Sequence, residues 1–291
     1  MRNTHWTMAA AALVLMQAAC TLDGAEGESR GPREARAETP APAPNLVTVT
    51  ARDFAFAAPE VIPSGLTTIR LVNQGTEMHH AQVVRLDEGH TVAELMDLAA
   101  RGEGEGLPAW AHFVGGPNVP APNGFNEATM QLQAGAYALV CFIPSPDGVP
   151  HMMKGMVKGL TVVPATVPTA AMAAAGVRMV LRDYAFDITP EITAGRHTIQ
   201  VENAAAQPHE VVVMRLAPGK TPQDLMGWMQ KQEGPPPFAP VGGTTLLSTG
   251  QVNQITVDFE PGEYVLLCFV PDAGDGKPHV AHGMVRQITV R

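Results

Sequence analysis

The stretch Gly135–Met156, GAYALVCFIPSPDGVPHMMKGM, decides how the rest of the chain is read. It has the form of a strand, a loop rich in Pro and Gly, and a short return ending in methionine. Cys141, His151 and Met156 place a thiol, an imidazole and a thioether on this single connection. Those are three of the four donors of a transition-metal site built from two imidazoles, one thiolate and a weak thioether. A second histidine has to come from elsewhere in the fold.

It comes from an internal duplication. VTARDFAF, ending at Phe56, pairs with VLRDYAF, ending at Phe186, and LVNQGTEMHHAQVVRL from Leu71 pairs without a gap with VENAAAQPHEVVVMRL from Val201. HTVAELMDLA from His90 matches KTPQDLMGWM from Lys220, and FVGG at Phe113 matches PVGG at Pro240. GAYALVCFIP at Gly135 pairs with GEYVLLCFVP at Gly262, and HMMKGMVKGLTV at His151 with HVAHGMVRQITV at His279. So long a period means a tandem of two whole domains and excludes a solenoid. The pairing sets His79, and not its neighbour His80, opposite His209. Each half then offers one early histidine followed by Cys, His and Met: His79, Cys141, His151 and Met156, then His209, Cys268, His279 and Met284. As a disulfide, Cys141 and Cys268 would have to bridge the same point of two repeats, so metal ligation is the preferred reading of both.

Around these residues each half shows short alternating or β-branched runs: Val47–Thr50, Thr67–Val72, Gln82–Leu86, Thr129–Leu132, Tyr137–Phe142 and Gly159–Val163 in the first. One helix interrupts them. Thr91 and Glu94 have capping-box spacing, and in the second half Thr221 can cap with Pro222 at the first helical position. The expected fold is all-β, two tandem Greek-key β-barrels or sandwiches, each with a short inserted helix. A parallel α/β sheet would need a helix after most strands.

The ends and the charge bound what the chain can do. Arg2 and His5 precede an apolar run, Met8–Ala19, too short to span a bilayer and suited to an export signal. It closes on Gln17-Ala18-Ala19-Cys20, similar to a bacterial lipoprotein cleavage site; an ordinary signal peptide cut nearby is the other reading. Residues 1–20 are thus the signal, with Cys20 the expected lipidation site. Residues 21–45, rich in Ala, Pro, Glu and Gly, are expected to be a tether. The two domains follow at 46–164 and 177–291, joined by the Pro/Ala-rich linker 165–176. The net charge of −9, with no cluster of Lys or Arg, argues against nucleic acid as a partner.

The pattern Gly-x-Tyr-x-x-x-Cys, then His, then Met, present at Gly135, Tyr137, Cys141, His151 and Met156 and again at Gly262, Tyr264, Cys268, His279 and Met284, resembles the cupredoxin family of plastocyanin and azurin. Pro208-His209 is similar to the first-histidine motif of plastocyanins. The resemblance implies a Greek-key β-barrel in each half holding one type 1 (blue) copper and moving single electrons. The chain departs from the family in its Cys-to-His loops, with nine residues between Cys141 and His151 and ten between Cys268 and His279. It departs again after the first histidine: an Asn that braces the ligand loop in many members is here His80 or Glu210. Two-domain copper oxidases and nitrite reductases usually carry a histidine beside the ligand cysteine. Here the neighbours are Val140 and Phe142, or Leu267 and Phe269, and no His-x-His pair occurs. The expectation is an exported, lipid-anchored electron carrier with two coppers, facing the periplasm or cell exterior and serving redox proteins of the cell envelope. Membrane contact is expected only through the anchor. Copper storage or chaperoning with the same ligands, and a structural pair of β-sandwiches, are the alternatives.

Overall fold

The computed structural model describes residues 42–101, 107–120, 124–231 and 233–291. Cys20, the export signal and most of the expected tether lie outside them. The first half runs β1 (Asn45–Arg52), β2 (Ala55–Ala57), β3 (Val61–Pro63), β4 (Gly65–Asn73), β5 (Gln82–Leu86), α1 (Val92–Arg101), β6 (Ala111–Gly115), β7 (Phe125–Leu132), β8 (Gly135–Val140) and β9 (Val157–Val163). The second repeats it as β10 (Val177–Arg182), β11 (Ala185–Thr189), β12 (Gly195–Asn203), β13 (His209–Leu216), α2 (Pro222–Lys231), β14 (Phe238–Leu247), β15 (Val252–Phe259), β16 (Gly262–Leu267) and β17 (Val285–Val290). The fold is all-β with two tandem halves, each interrupted by one helix.

Both helices start as their sequences dictate. The Glu94 backbone N–H donates to Thr91 Oγ1, while Thr91 N–H donates back to the Glu94 carboxylate at 2.7 Å. Thr221 and Asp224 form the same reciprocal box ahead of Pro222.

Two continuous sheets run through both halves, in the orders β11-β10-β12-β15-β7-β4-β1-β2 and β17-β16-β13-β14-β6-β5-β8-β9-β3. The halves join edge to edge: β15 pairs antiparallel with β7 (Ile255 opposite Ala128), and β14 meets β6 at Leu247 and Val114. One apolar core runs between the sheets through both halves, from Val49, Ile69 and Leu139 to Val201, Leu266 and Phe259. Strand edges that would otherwise be exposed are thereby used up against each other.

The sequence reading missed β6 and β14, the strands at this junction. The Gly pairs there let two backbones approach. A Cβ on Gly116 would lie 2.0 Å from Ala81 O, and one on Gly243 lies equally close to Val211 O, with φ of 144° and 129°. The Thr245 N–H donates to Gly116 O, and Asn118 N–H to Gly243 O, across the junction. The expected strand Tyr137–Phe142 is corrected at both ends, since β8 starts at Gly135 and stops at Val140. The Phe142 N–H leaves the ladder and donates to the His80 ring instead.

Candidate metal centres

Each centre lies where a cysteine leaves the end of one strand beside the start of its sheet neighbour. β8 pairs with β5, and β16 with β13. Cys141 follows β8, and His79 precedes β5 by three residues; Cys268 follows β16, and His209 opens β13. The loop after each cysteine is pinned by its own backbone. His151 N–H donates to Ile143 O, Met152 N–H to Cys141 O, Met156 N–H to His151 O, and Cys141 N–H to Met156 O. The second half repeats all four bonds with His279, Val280, Met284 and Cys268. A single 3₁₀ turn, His151–Lys154 or His279–His282, carries the loop histidine and ends at a left-handed glycine, Gly155 (φ 102°) or Gly283 (φ 95°). The unequal loop lengths are absorbed beyond the bridges Pro144–Pro150 and Pro271–Pro278, away from the centres.

This backbone brings His79, Cys141 and His151 together, and likewise His209, Cys268 and His279. In each trio one donor atom per residue lies within 4.8 Å of the others, and all six residues are fully buried. In the first trio His151 Nδ1 is 3.0 Å from His79 Nδ1 and 3.5 Å from Cys141 Sγ. In the second, Cys268 Sγ is 3.4 Å from His279 Nδ1 and 3.8 Å from His209 Nδ1. Met156 and Met284 are also fully buried, tied to the trios through the backbone bonds above. His80 stays outside the trio, its ring turned to the Phe142 N–H. Both cysteines are free thiols.

The outer nitrogens explain why Nδ1 faces inward. His79 Nε2 lies 2.8 Å from Asp53 Oδ1, His151 Nε2 2.9 Å from Glu77 Oε2, and His209 Nε2 3.0 Å from Asp183 Oδ1. A carboxylate takes the N–H there and leaves a lone pair on Nδ1. In the first trio two imidazole lone pairs and a sulfur thus converge on one point. That donor set fits a copper ion, the mixed N/S chemistry expected of it. The group at Asp53 is held well below the usual carboxylate range by the Thr76 hydroxyl, backbone N–H groups and His79. Burial pushes His79, His209 and His279 below the ordinary imidazole value, the last to about 4. Burial also raises the Cys141 thiol to about 12 and raises Cys268 too.

Two roles escaped the sequence. The carboxylates behind the imidazoles were one, although Asp53 and Asp183 stand at the same place in RDFAF and RDYAF. The other is the brace. No Asn follows the first histidine, yet His80 Nε2 accepts the Phe142 N–H at 3.0 Å and Glu210 Oε1 accepts that of Phe269 at 3.1 Å. Different side chains therefore hold the same peptide, the one just after each cysteine. Burial forces His80 down to about 3 and lifts Glu210 to about 7, so His80 is a neutral acceptor. Asn73 and Asn203 serve turns, accepting from Gly75 and Ala205 N–H. Nearby, Met152 packs in an apolar cluster and His282 faces Asp275 near the surface. An apolar cavity of about 830 Å³ lies at the junction of the halves, with Phe142 and Phe269 in its lining.

No protein-family model and no curated protein matches this chain. Among solved structures, auracyanin from Roseiflexus castenholzii is 20% identical over 42% of this chain and 99% of its own, with a TM-score of 0.30. Auracyanin A, a blue copper protein of Chloroflexus aurantiacus, is 21% identical over 42% of this chain and all of its own, with a TM-score of 0.30. A blue copper oxidase from Nitrosomonas europaea is 16% identical over 85% of this chain and 86% of its own, with a TM-score of 0.25. Strand order, duplication and the His/Cys/His trio at one end of each half make the fold cupredoxin-like, in two tandem halves. Among the described residues no helix is long and apolar enough to cross a membrane.

Proposed function

We propose that this chain is an exported electron-transfer protein with two type 1 copper centres: His79, Cys141, His151 and Met156 in the first half, His209, Cys268, His279 and Met284 in the second. The observation that carries the reading is the convergence of two Nδ1 atoms and one Sγ, twice, with the outer Nε2 of three of the four imidazoles facing a carboxylate. Copper bound there would cycle between Cu(I) and Cu(II), one electron per centre. The residues' part is to hold one geometry for both states, through the pinned loop and the braces of His80 and Glu210.

The fold is compatible with an oxidase as well as a carrier. The residues beside the cysteines, Val140, Phe142, Leu267 and Phe269, offer no ligand for a second kind of copper, which favours the carrier. Full burial of both trios favours retention of metal over hand-off, and so electron transfer over chaperoning. Redox proteins of the cell envelope are the proposed partners, with Cys20 as a lipid anchor holding the domains at the membrane surface.

Metal analysis of the purified protein tests this. Two equivalents of copper and an intense thiolate-to-copper band in the visible are expected. Cys141→Ser and Cys268→Ser should each leave one equivalent. A colourless, copper-loaded protein whose two thiols still react as free would refute the reading.

A further inference from the structure

The two centres are built alike, but they are not equal. Three equivalent positions around the loop histidine differ together: Phe54, Glu77 and Ser145 in the first half are Tyr184, Gln207 and Asp272 in the second. In the first half, Glu77 comes from the turn before His79 and takes the His151 Nε2–H at 2.9 Å. Phe54 only packs its ring against that imidazole, and the buried Ser145 hydroxyl has no partner. In the second half the carboxylate has moved onto the ligand loop. Asp272 Oδ2 is occupied by the Tyr184 hydroxyl at 2.5 Å and the Gln207 amide at 3.0 Å, and it lies 3.7 Å from His279 Nε2. That nitrogen is buried without a hydrogen-bond partner. The early histidines do not differ in this way, since both meet an aspartate, Asp53 or Asp183.

From this we infer that the first centre has the lower reduction potential, because Glu77 is a positioning residue that makes His151 a stronger donor than His279, so that an electron entering the chain comes to rest on the second centre. The inference rests on the electron-transfer reading above. A carboxylate accepting the outer N–H of a ligating imidazole pushes electron density to the inner nitrogen. A more basic, more negative ligand set favours Cu(II) over Cu(I). The first centre has two such imidazoles and the second has one. The Tyr184 and Gln207 donors neutralise the one carboxylate that could have served His279. Loss of such an outer partner typically changes metal affinity by 10- to 100-fold. A change at the low end of that range, expressed on Cu(II) relative to Cu(I), corresponds to about 59 mV for one electron.

The full-length Cys268→Ser and Cys141→Ser proteins isolate the first and second centres. Optical redox titration of the visible thiolate band then reads each potential alone. The first is expected to be lower, with about a tenfold greater preference for Cu(II). In the Cys268→Ser background, compared at full copper loading, Glu77→Gln should remove most of that preference. The transplant Phe54→Tyr/Glu77→Gln/Ser145→Asp should give the first centre the potential of the second, and it tests the idea even if Glu77→Gln alone folds poorly. Equal or reversed potentials, or a Glu77→Gln protein that keeps the parental value, would overturn the inference while leaving the electron-transfer reading intact. Absence of the thiolate band from both single-centre proteins would overturn both.

Discussion

Copper binding to this chain should release one proton per centre, and the structure sets the size of the effect. Cys141 is fully buried, and burial raises its thiol to about 12. At pH 7 its ionisation therefore costs about five pH units, or ~7 kcal/mol, which metal coordination has to supply. His79, His209 and His279 lie below the ordinary imidazole value, so at pH 8 they add no protons. Affinity for Cu(I) should rise about tenfold per pH unit per centre between pH 7 and 9, since each ion displaces one thiol proton. The assay is calorimetric titration of chelator-stripped protein under anaerobic conditions, in two buffers of different ionisation enthalpy. Two protons per chain are expected, and one in Cys141→Ser or Cys268→Ser. Zero protons would mean that the thiols are already ionised or that sulfur is not a ligand, and the reasoning from burial would fail. The sign for folding is linked to this. The folded-state value of the Cys141 thiol lies above the unfolded one, so the metal-free chain keeps this contribution below ~8.5 and loses it as pH climbs through about 12.

Two further outcomes concern the scaffold. Thr91→Ala removes the hydroxyl that accepts the Glu94 N–H and should destabilise the chain by ~1 kcal/mol, seen as a lower melting temperature with copper content unchanged. Gly116→Ala adds a Cβ 2.0 Å from Ala81 O at a φ of 144°. It should cost more than ~1 kcal/mol and loosen the junction, seen as faster hydrogen exchange at the Thr245 amide; a variant with the parental melting curve would show that the close approach is not needed.

Much of this molecule could be read from its residues because the relevant physics is local or repeated. Capping at Thr91 and Thr221 depends on side chains three residues apart, so spacing alone predicts it. The duplication told His79 from His80, since only one of them has a histidine at the equivalent place. Period-two runs located most strands, and Cys141, His151 and Met156 announce themselves by type and proximity in the chain. Glu77 and Ser145 were harder. Their difference from Gln207 and Asp272 was present in the aligned halves, but nothing in sequence says that a turn and a distant loop meet behind the same imidazole.

What the sequence by itself determined, then, is the all-β class, the tandem of two halves, and a set of His, Cys and Met in each. Tertiary structure alone decided three things. The halves share two continuous sheets, because β6 with β14 and β7 with β15 supply edges that match only once folded. His80 and Glu210 do the same bracing with different chemistry, because the need is for any buried acceptor at one peptide N–H. The two centres differ in what holds their outer nitrogens, because hydrogen bonding acts over about 3 Å between residues dozens of positions apart.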